Sequence, residues 1–341
     1  MAYLTDLYAT VADKVRPPVL IPLGPPRPAA HLAAAVGGDD VTCFQFDLHQ
    51  ADKLRASLAE LGSPAAVVTG ADVWDLPPTF NTVLLPALAH ADRELKIDML
   101  DQGSHALAPD GLFVTLSEYE RDSQFAKWHK KVFGKCSQTP ASEHGMAFYS
   151  RKTGERERRR HEVSFHARTG GGPSMSFVSR PGVFSYGRFD DGSRALLEVA
   201  DVRDDDHVLD LGSGVGAVGC LAATKASRVR VTFVDSSLRA AALSELNAKA
   251  NGLTDYKVLA TATLAGLGSG AFDAVLANPP YFGDSMLARL FVGGAKEVLR
   301  PGGRFYIVTK MPTAVVPQIF ELFGSCDVIE NRGYSIATAV A

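Results

Sequence analysis

The chain has 341 residues, 46% hydrophobic and 21% charged, with a formal net charge of −3. This globular composition excludes a collagen-like, disulfide-framework or wholly disordered chain. The length exceeds the roughly 100–200 residues of one ordinary domain, so two domains are expected, and the slight acidity means that a polyanion could be met only by local basic patches.

The first residues lack a basic segment followed by a long apolar run, and no window approaches the roughly 18 apolar residues of a spanning helix. The expectation is a soluble, unprocessed, cytoplasmic monomer that contacts no membrane. Cys43, Cys136, Cys220 and Cys326 are scattered without metal-ligand spacing, and the nine histidines form no cluster, so no metal is expected. No GxSxG or HExxH pattern supports a hydrolase.

In chain order, the first β-rich run is Val19-Leu20-Ile21-Pro22, followed by Leu23-Gly24-Pro25-Pro26, and the next begins at Val41. Phe80 to Leu84 reads as a buried strand, and Pro109-Asp110-Gly111-Leu112-Phe113 as a helix-ending turn feeding another. A helix over roughly 118–134 has an apolar face of Phe125, Trp128, Val132 and Phe133, with Lys127, Lys131 and Lys135 at four-residue steps. Those lysines form either an RNA-binding stripe or an ordinary solvated face. Residues 151–160, including Arg158, Arg159 and Arg160, read as a basic linker or an exposed arm, with the same two alternatives for RNA. Alternation at Val163, Phe165 and Ala167, then a Gly170–Pro173 turn and Met175 and Phe177, predicts a β-hairpin opening the second domain.

From there apolar runs alternate with helical patterns: strands at 207–211, 229–234, 256–260, 272–276 and 304–309, helices at 216–226, 237–250 and 284–298. Such alternation predicts a parallel-dominated sheet covered on both faces, with ligands at the carboxyl ends of the strands. The two halves also repeat. Phe80 and Phe272 head similar strands 192 positions apart, Pro109 and Pro301 head similar turns at the same offset, and Val41 and Val231 follow at 190. Three matches in order predict a duplicated fold.

Asp210-Leu211-Gly212-Ser213-Gly214-Val215-Gly216 runs from a strand into a glycine turn and a helix, and Asp235 ends the next strand, where an acid can accept both ribose hydroxyls. The glycine turn alone would serve a nicotinamide dehydrogenase equally well. Asp210 tilts the balance, because an acid before the turn repels a pyrophosphate but can hold a positively charged amino-acid moiety. Asn278-Pro279-Pro280-Tyr281 follows the strand ending at Ala277. Its two prolines stiffen the backbone, so that the Asn278 oxygen and the Pro279 carbonyl can accept from a planar exocyclic amine while Tyr281 offers a stacking face.

These residues resemble the class I S-adenosylmethionine-dependent methyltransferases that modify planar amino groups. Within them, Pro181-Gly182-Val183-Phe184-Ser185 and the following Asp190-Asp191-Gly192-Ser193 are similar to the segment preceding the glycine loop in ribosomal RNA guanine-N2 methyltransferases, which carry a duplicated methyltransferase fold. The resemblance covers residues 175–341 well and the first half by architecture only. It implies an α/β protein of two tandem Rossmann-like methyltransferase domains: a degenerate one at 1–150 that supports the other and grips RNA, the linker, and a catalytic domain at 161–341. It implies S-adenosylmethionine as cofactor, held by Asp210, Gly212, Ser213, Gly214, Gly216, Asp235, Ser236, Thr261, Asn278, Gly192 and Ser193, and ribosomal RNA or a ribosomal subunit as partner. Protein glutamine N5, adenine N6 and a non-catalytic two-domain scaffold stay open as alternatives. The first copy lacks the acid, the second glycine and the amide, since Pro86-Ala87-Leu88-Ala89 stands where the Asn-Pro-Pro-Tyr run would fall. The loop at Leu259-Ala260-Thr261-Ala262 has no acidic or amide side chain for adenine, leaving Thr261 or backbone groups to read it.

Overall fold

The computed structural model describes residues 3–87, 92–264, 266–279 and 285–341, the side chains of 285–287 excepted. The chain divides into two units, one ending at His161 and the other beginning at Glu162.

The first unit contains β1 (Val19–Pro22), β2 (Val41–Gln45), β3 (Ala66–Thr69), β4 (Phe80–Ala87), β5 (Leu107–Ser117), β6 (Ser137–Gln138) and β7 (Met146–Arg151). They form one sheet in the order β3-β2-β1-β4-β5-β7-β6. The first five strands pair in parallel and β7 runs antiparallel to β5. The second unit opens with the hairpin β8 (Val163–Ala167) and β9 (Met175–Ser179). Its sheet consists of β10 (His207–Leu211), β11 (Arg230–Asp235), β12 (Tyr256–Ala260), β13 (Phe272–Ala277), β14 (Leu299–Thr309), β15 (Asp327–Asn331) and β16 (Tyr334–Val340). The order is β12-β11-β10-β13-β14-β16-β15, which repeats that of the first unit strand for strand. Both units are Rossmann-like.

The central strands are largely apolar because each sheet is covered on both faces. In β10, Val208 joins a core with Val231, Phe233 and Leu276, while Leu209 and Leu211 join another with Val234 and Val275. In β1, Val19 and Ile21 likewise face one core and Leu20 the other. Alternate residues of a strand point to opposite faces, so these apolar side chains are buried on both.

The duplication extends to single atoms. A Cβ on Gly111 would lie 2.9 Å from the Ala108 carbonyl oxygen and 3.2 Å from that of Phe80, and on Gly303 it would lie 2.8 Å from Arg300 O and 3.1 Å from Phe272 O. The preceding residues, Asp110 and Gly302, both have positive φ, at 60° and 77°. Pro109–Phe113 and Pro301–Phe305 follow closely on the helices ending at Ala106 and Val298, and the chain turns there before the regular ladder resumes. They lie within β5 and β14, at matching irregularities of the two ladders.

Two expected helices are shorter than their patterns. The expected 118–134 helix spans Gln124–Phe133, because Asp122 accepts from the backbone N–H groups of Gln124 and Phe125 at its start and Gly134, at φ 80°, ends it. Lys135 is consequently off the helix, and the lysine stripe loses its third member. The expected 216–226 helix spans Ala217–Ala222.

Residues 151–160 belong to the first unit and are no free linker. Arg151 closes β7, and the buried Lys152 Nζ donates to Leu107 O at 2.9 Å. Arg156 donates to the carbonyls of Lys131 and Val132, and Arg158 lies over the Trp74 ring and donates to Trp74 O. The Lys131 and Val132 carbonyls are in a last helical turn, where no intrahelical donor remains, and a guanidinium supplies one.

His129 is fully buried, with Nε2 2.9 Å from Thr115 Oγ1 and Nδ1 2.9 Å from Ser150 Oγ. Burial pushes its pKa down to about 3. The unfolded chain takes up a proton near pH 6.5 that the fold refuses, so this contribution to stability is complete above that pH and is lost as pH falls toward the folded value. Stability of the first unit against urea should therefore fall on acidification below about pH 6.5, by up to about 1.4 kcal/mol per pH unit. His129→Gln should remove that component, and an identical pH slope in the variant would refute it.

Candidate functional site

At the carboxyl end of β10 the chain turns through Gly212, Gly214 and Gly216, with φ of 76°, 56° and 77°, before the helix Ala217–Ala222. Different contacts require glycine at different places in this segment. A Cβ on Gly216 would meet Ser244 Cα at 3.0 Å, one on Gly219 would meet the Phe233 ring at 2.4 Å, and one on Gly214 would meet nothing within 4 Å. Gly216 and Gly219 thus let neighbouring elements approach, whereas Gly214 keeps an open side.

Asp235, at the end of β11, accepts from the backbone N–H groups of Gly214 and Ser237, each at 2.8 Å. A carboxylate has about four acceptor directions, and these bonds take one on each oxygen. The acid expected to hold a ribose thus also clamps the glycine loop. Support comes from the helix Leu238–Ala250. Ser244 Oγ lies 3.0 Å from Ser213 Oγ and donates to Gly214 O, and Asn247 Nδ2 donates to Val215 O. Sequence reasoning missed both residues, which lie about 30 positions from the loop in an ordinary helical pattern.

Asp210 is 2% exposed and accepts from Gly219 N at 2.8 Å. Burial pushes its pKa up to about 8, with the charge of Asp235 adding and the Gly219 hydrogen bond opposing. Among the described residues no cation faces it, so a bound cationic group would be its natural countercharge.

Asn278 follows β13. Its Nδ2 donates to Asp190 Oδ2 at 2.9 Å and to Ser193 Oγ at 2.8 Å. Asp190 also caps the helix Asp191–Val199 by accepting from Ser193 N at 2.8 Å. These bonds fix which end of the amide is nitrogen and turn the oxygen the opposite way. Asp190 is therefore a site residue not predicted as one, although its cap position before Ser193 is a readable signal.

Asp190, Ser193, Asp210, Gly212, Gly214 and Asn278 line one cleft, joined by Ser213 and by Phe165, Phe184 and Phe189. Other expected residues are elsewhere. Gly192 is buried in the first turn of its helix, and Ser236 and Thr261 follow the ends of β11 and β12. The Thr261 hydroxyl donates to Thr263 O at 2.7 Å, so its proton is committed locally and not available to a base. Pro279 is half-buried, and Pro280 and Tyr281 lie outside the described residues.

The corresponding place in the first unit is filled. Ile21 stands where β10 carries Asp210, and Gln45 where β11 carries Asp235. Gln45 Nε2 donates to Gly24 O at 3.0 Å, reversing the polarity of the Asp235–Gly214 bond. A Cβ on Gly24 would meet Pro86 at 3.2 Å. Of the residues expected to contact RNA, Lys127 and Lys131 are exposed on the helix, and Arg159 and Arg160 are exposed beyond it. Lys135 is also exposed but outside the helix, and Arg158 is engaged with Trp74.

A carboxyl-end cleft with an open glycine loop, a clamped acid, a buried acid without a countercharge and an oriented amide can take a nucleoside joined to a cationic group beside a second, amine-bearing ligand. Residues 174–338 match the family model for the Methyltransferase small domain. This methyltransferase match covers the whole cleft except Phe165. The chain is 35% identical over 170 residues to the ribosomal RNA small subunit methyltransferase C of Pseudomonas paraeruginosa, covering 48% of this chain and 51% of that protein. It is 31% identical over 160 residues to the ribosomal RNA large subunit methyltransferase G of Streptomyces avermitilis, covering 45% and 42%. The chain thus spans about half the length of these curated relatives. A solved structure of the T. Thermophilus 16S rRNA N2 methyltransferase RsmC, in complex with AdoMet and guanosine, is similar over 98% of this chain and 91% of that one, with TM-score 0.77 and 22% identity. That likeness establishes the two-unit fold. No helix among the described residues is long and apolar enough to cross a membrane.

Proposed function

We propose that the chain transfers a methyl group from S-adenosylmethionine to the exocyclic N2 amine of guanine in ribosomal RNA, in the cytoplasm. The observation that carries this reading is the orientation of Asn278 by Asp190 and Ser193 beside the glycine loop and Asp210. The cleft fits the cofactor: Asp210 offers a buried acid to its cationic amino-acid end, Gly214 leaves room at the loop, and Asp235 stands at the end of the second strand for the ribose. When bound, the cofactor supplies an activated methyl group.

The protein's own task is alignment. A base amine is a weak nucleophile because its lone pair is delocalised into the ring. The Asn278 oxygen and the Pro279 carbonyl accept from its hydrogens, which favours a pyramidal nitrogen aimed at the methyl carbon. A paired base must leave its stack to reach the cleft. In the first unit, with its cradle filled by Pro86, exposed Lys127, Lys131, Arg159 and Arg160 serve to hold the RNA backbone.

Cofactor affinity should depend on pH through Asp210. Its proton stays on until about pH 8 in the unliganded protein, and a cationic ligand favours the ionised form. Binding then releases a proton, so affinity should rise with pH between about 6 and 8, approaching tenfold per unit, and level off above. Calorimetry on Asp210→Asn should show a flat profile over that range.

The function itself is tested by tritiated methyl transfer to ribosomal RNA and to release factors, followed by separate nuclease and protease digestion. Label released by nuclease supports the proposal. Label released only by protease would replace guanine with glutamine.

A further inference from the structure

The segment Arg180–Phe189 carries three features that alignment of methyl donor and amine does not use. Phe184 is 49% exposed, lines the mouth of the cleft and has no aromatic or cationic partner among the described residues. Arg188, also at the cleft, is exposed, and its guanidinium has no partner among them either. Between them Ser185 holds φ at 59° without being glycine, and its buried Oγ has no hydrogen-bond partner among the described residues.

A strained residue of this kind persists only where its surroundings over-determine it. Here they do. Arg239, fully buried, donates to Pro181 O at 2.6 Å, Val183 is inserted into the core with Leu196 and Phe233, and Arg188 N donates to Ser185 O at 3.1 Å. The segment is thus anchored at its start and closed by a turn at its end, while an aromatic ring and a cation, four residues apart, line the same cleft as Asn278. A ring on an anchored backbone loses less entropy on stacking, and a guanidinium in the same cleft can take a phosphate in bidentate fashion.

We propose that Phe184 and Arg188 form a nucleotide-binding subsite at the mouth of the cleft, where the ring stacks on the base presented to Asn278 and the guanidinium takes a phosphate of the same nucleotide. This rests on the nucleobase reading of the cleft. It assigns recognition of the unstacked nucleotide to the second unit itself, apart from any RNA contacts made by the first.

The test is calorimetric titration of the full chain, saturated with S-adenosylhomocysteine, with guanosine and with its 5′- and 3′-monophosphates. The wild type should bind guanosine and prefer a monophosphate by roughly tenfold. Phe184→Ala should weaken both by roughly 10- to 100-fold, and Phe184→Tyr should restore them. Arg188→Gln should abolish the preference for the monophosphate and leave guanosine unchanged. S-adenosylhomocysteine affinity should be the same in all four proteins, which controls for folding. Absence of nucleoside binding in the wild type, or wild-type affinities in both Phe184→Ala and Arg188→Gln, would overturn the subsite. Methyl transfer to RNA with those outcomes would leave the proposed function standing, while nucleotide binding without any methyl transfer to RNA would sink the function and keep the subsite.

Discussion

Asn278→Ala will lower turnover on the order of 100-fold while changing S-adenosylmethionine affinity by less than about threefold. The magnitude is that of removing one preorganised polar group from a reacting centre. The asymmetry follows from the proposed role, in which the amide oxygen accepts from the reacting amine while its nitrogen is held by Asp190 and Ser193. Folding should be little affected, because Asp190 keeps its bond from Ser193 N. Single-turnover kinetics with saturating cofactor read the step directly. A variant that turns over normally, or one whose loss lies wholly in cofactor affinity, would remove Asn278 from the role given to it.

Asp235→Ala will weaken S-adenosylmethionine binding by roughly 10- to 100-fold, through loss of charge-assisted hydrogen bonds to the ligand. The same substitution deletes the clamp on Gly214 N and Ser237 N, so the glycine loop loses its fixed shape as well. The matching change in the first unit, Gln45→Ala, should have no effect on cofactor affinity, because Ile21, Gln45 and Pro86 leave no equivalent cradle there. Calorimetry should accordingly find one site per chain. A second site, or equal sensitivity to Gln45→Ala, would show that the first copy still binds the cofactor.

The duplicated fold was legible because strand starts and their flanking turns leave local marks: Phe80 and Phe272, Pro109 and Pro301. The glycine loop and Asp210 were legible for the same reason, since a backbone that must approach a ligand needs particular residues in sequence. What spacing could not convey depends on contacts between distant segments. Asp190 meets Asn278 across 88 positions, and nothing local marks that bond. The missing acid of the first copy was visible, but the filling of its cradle by Pro86 was not. Helix 118–134 was overread because its apolar period runs on past both ends. Backbone capture by Asp122 and the left-handed Gly134 decide where it stops. The basic run 151–160 misled in the same sense: charge without an apolar face reads as solvated, yet Lys152, Arg156 and Arg158 find backbone carbonyls to bond.

Nucleoside mass spectrometry distinguishes the proposed methylation of the guanine N2 amine in ribosomal RNA from its alternatives. Ribosomal subunits from a strain lacking the gene are incubated with the purified chain and deuterium-labelled S-adenosylmethionine, and their RNA and protein are then separated and digested. Labelled 2-methylguanosine is expected in the RNA of one subunit, formed far more slowly with Asn278→Ala. Label in N6-methyladenosine, or in ribosomal protein and no nucleoside, would contradict the proposal.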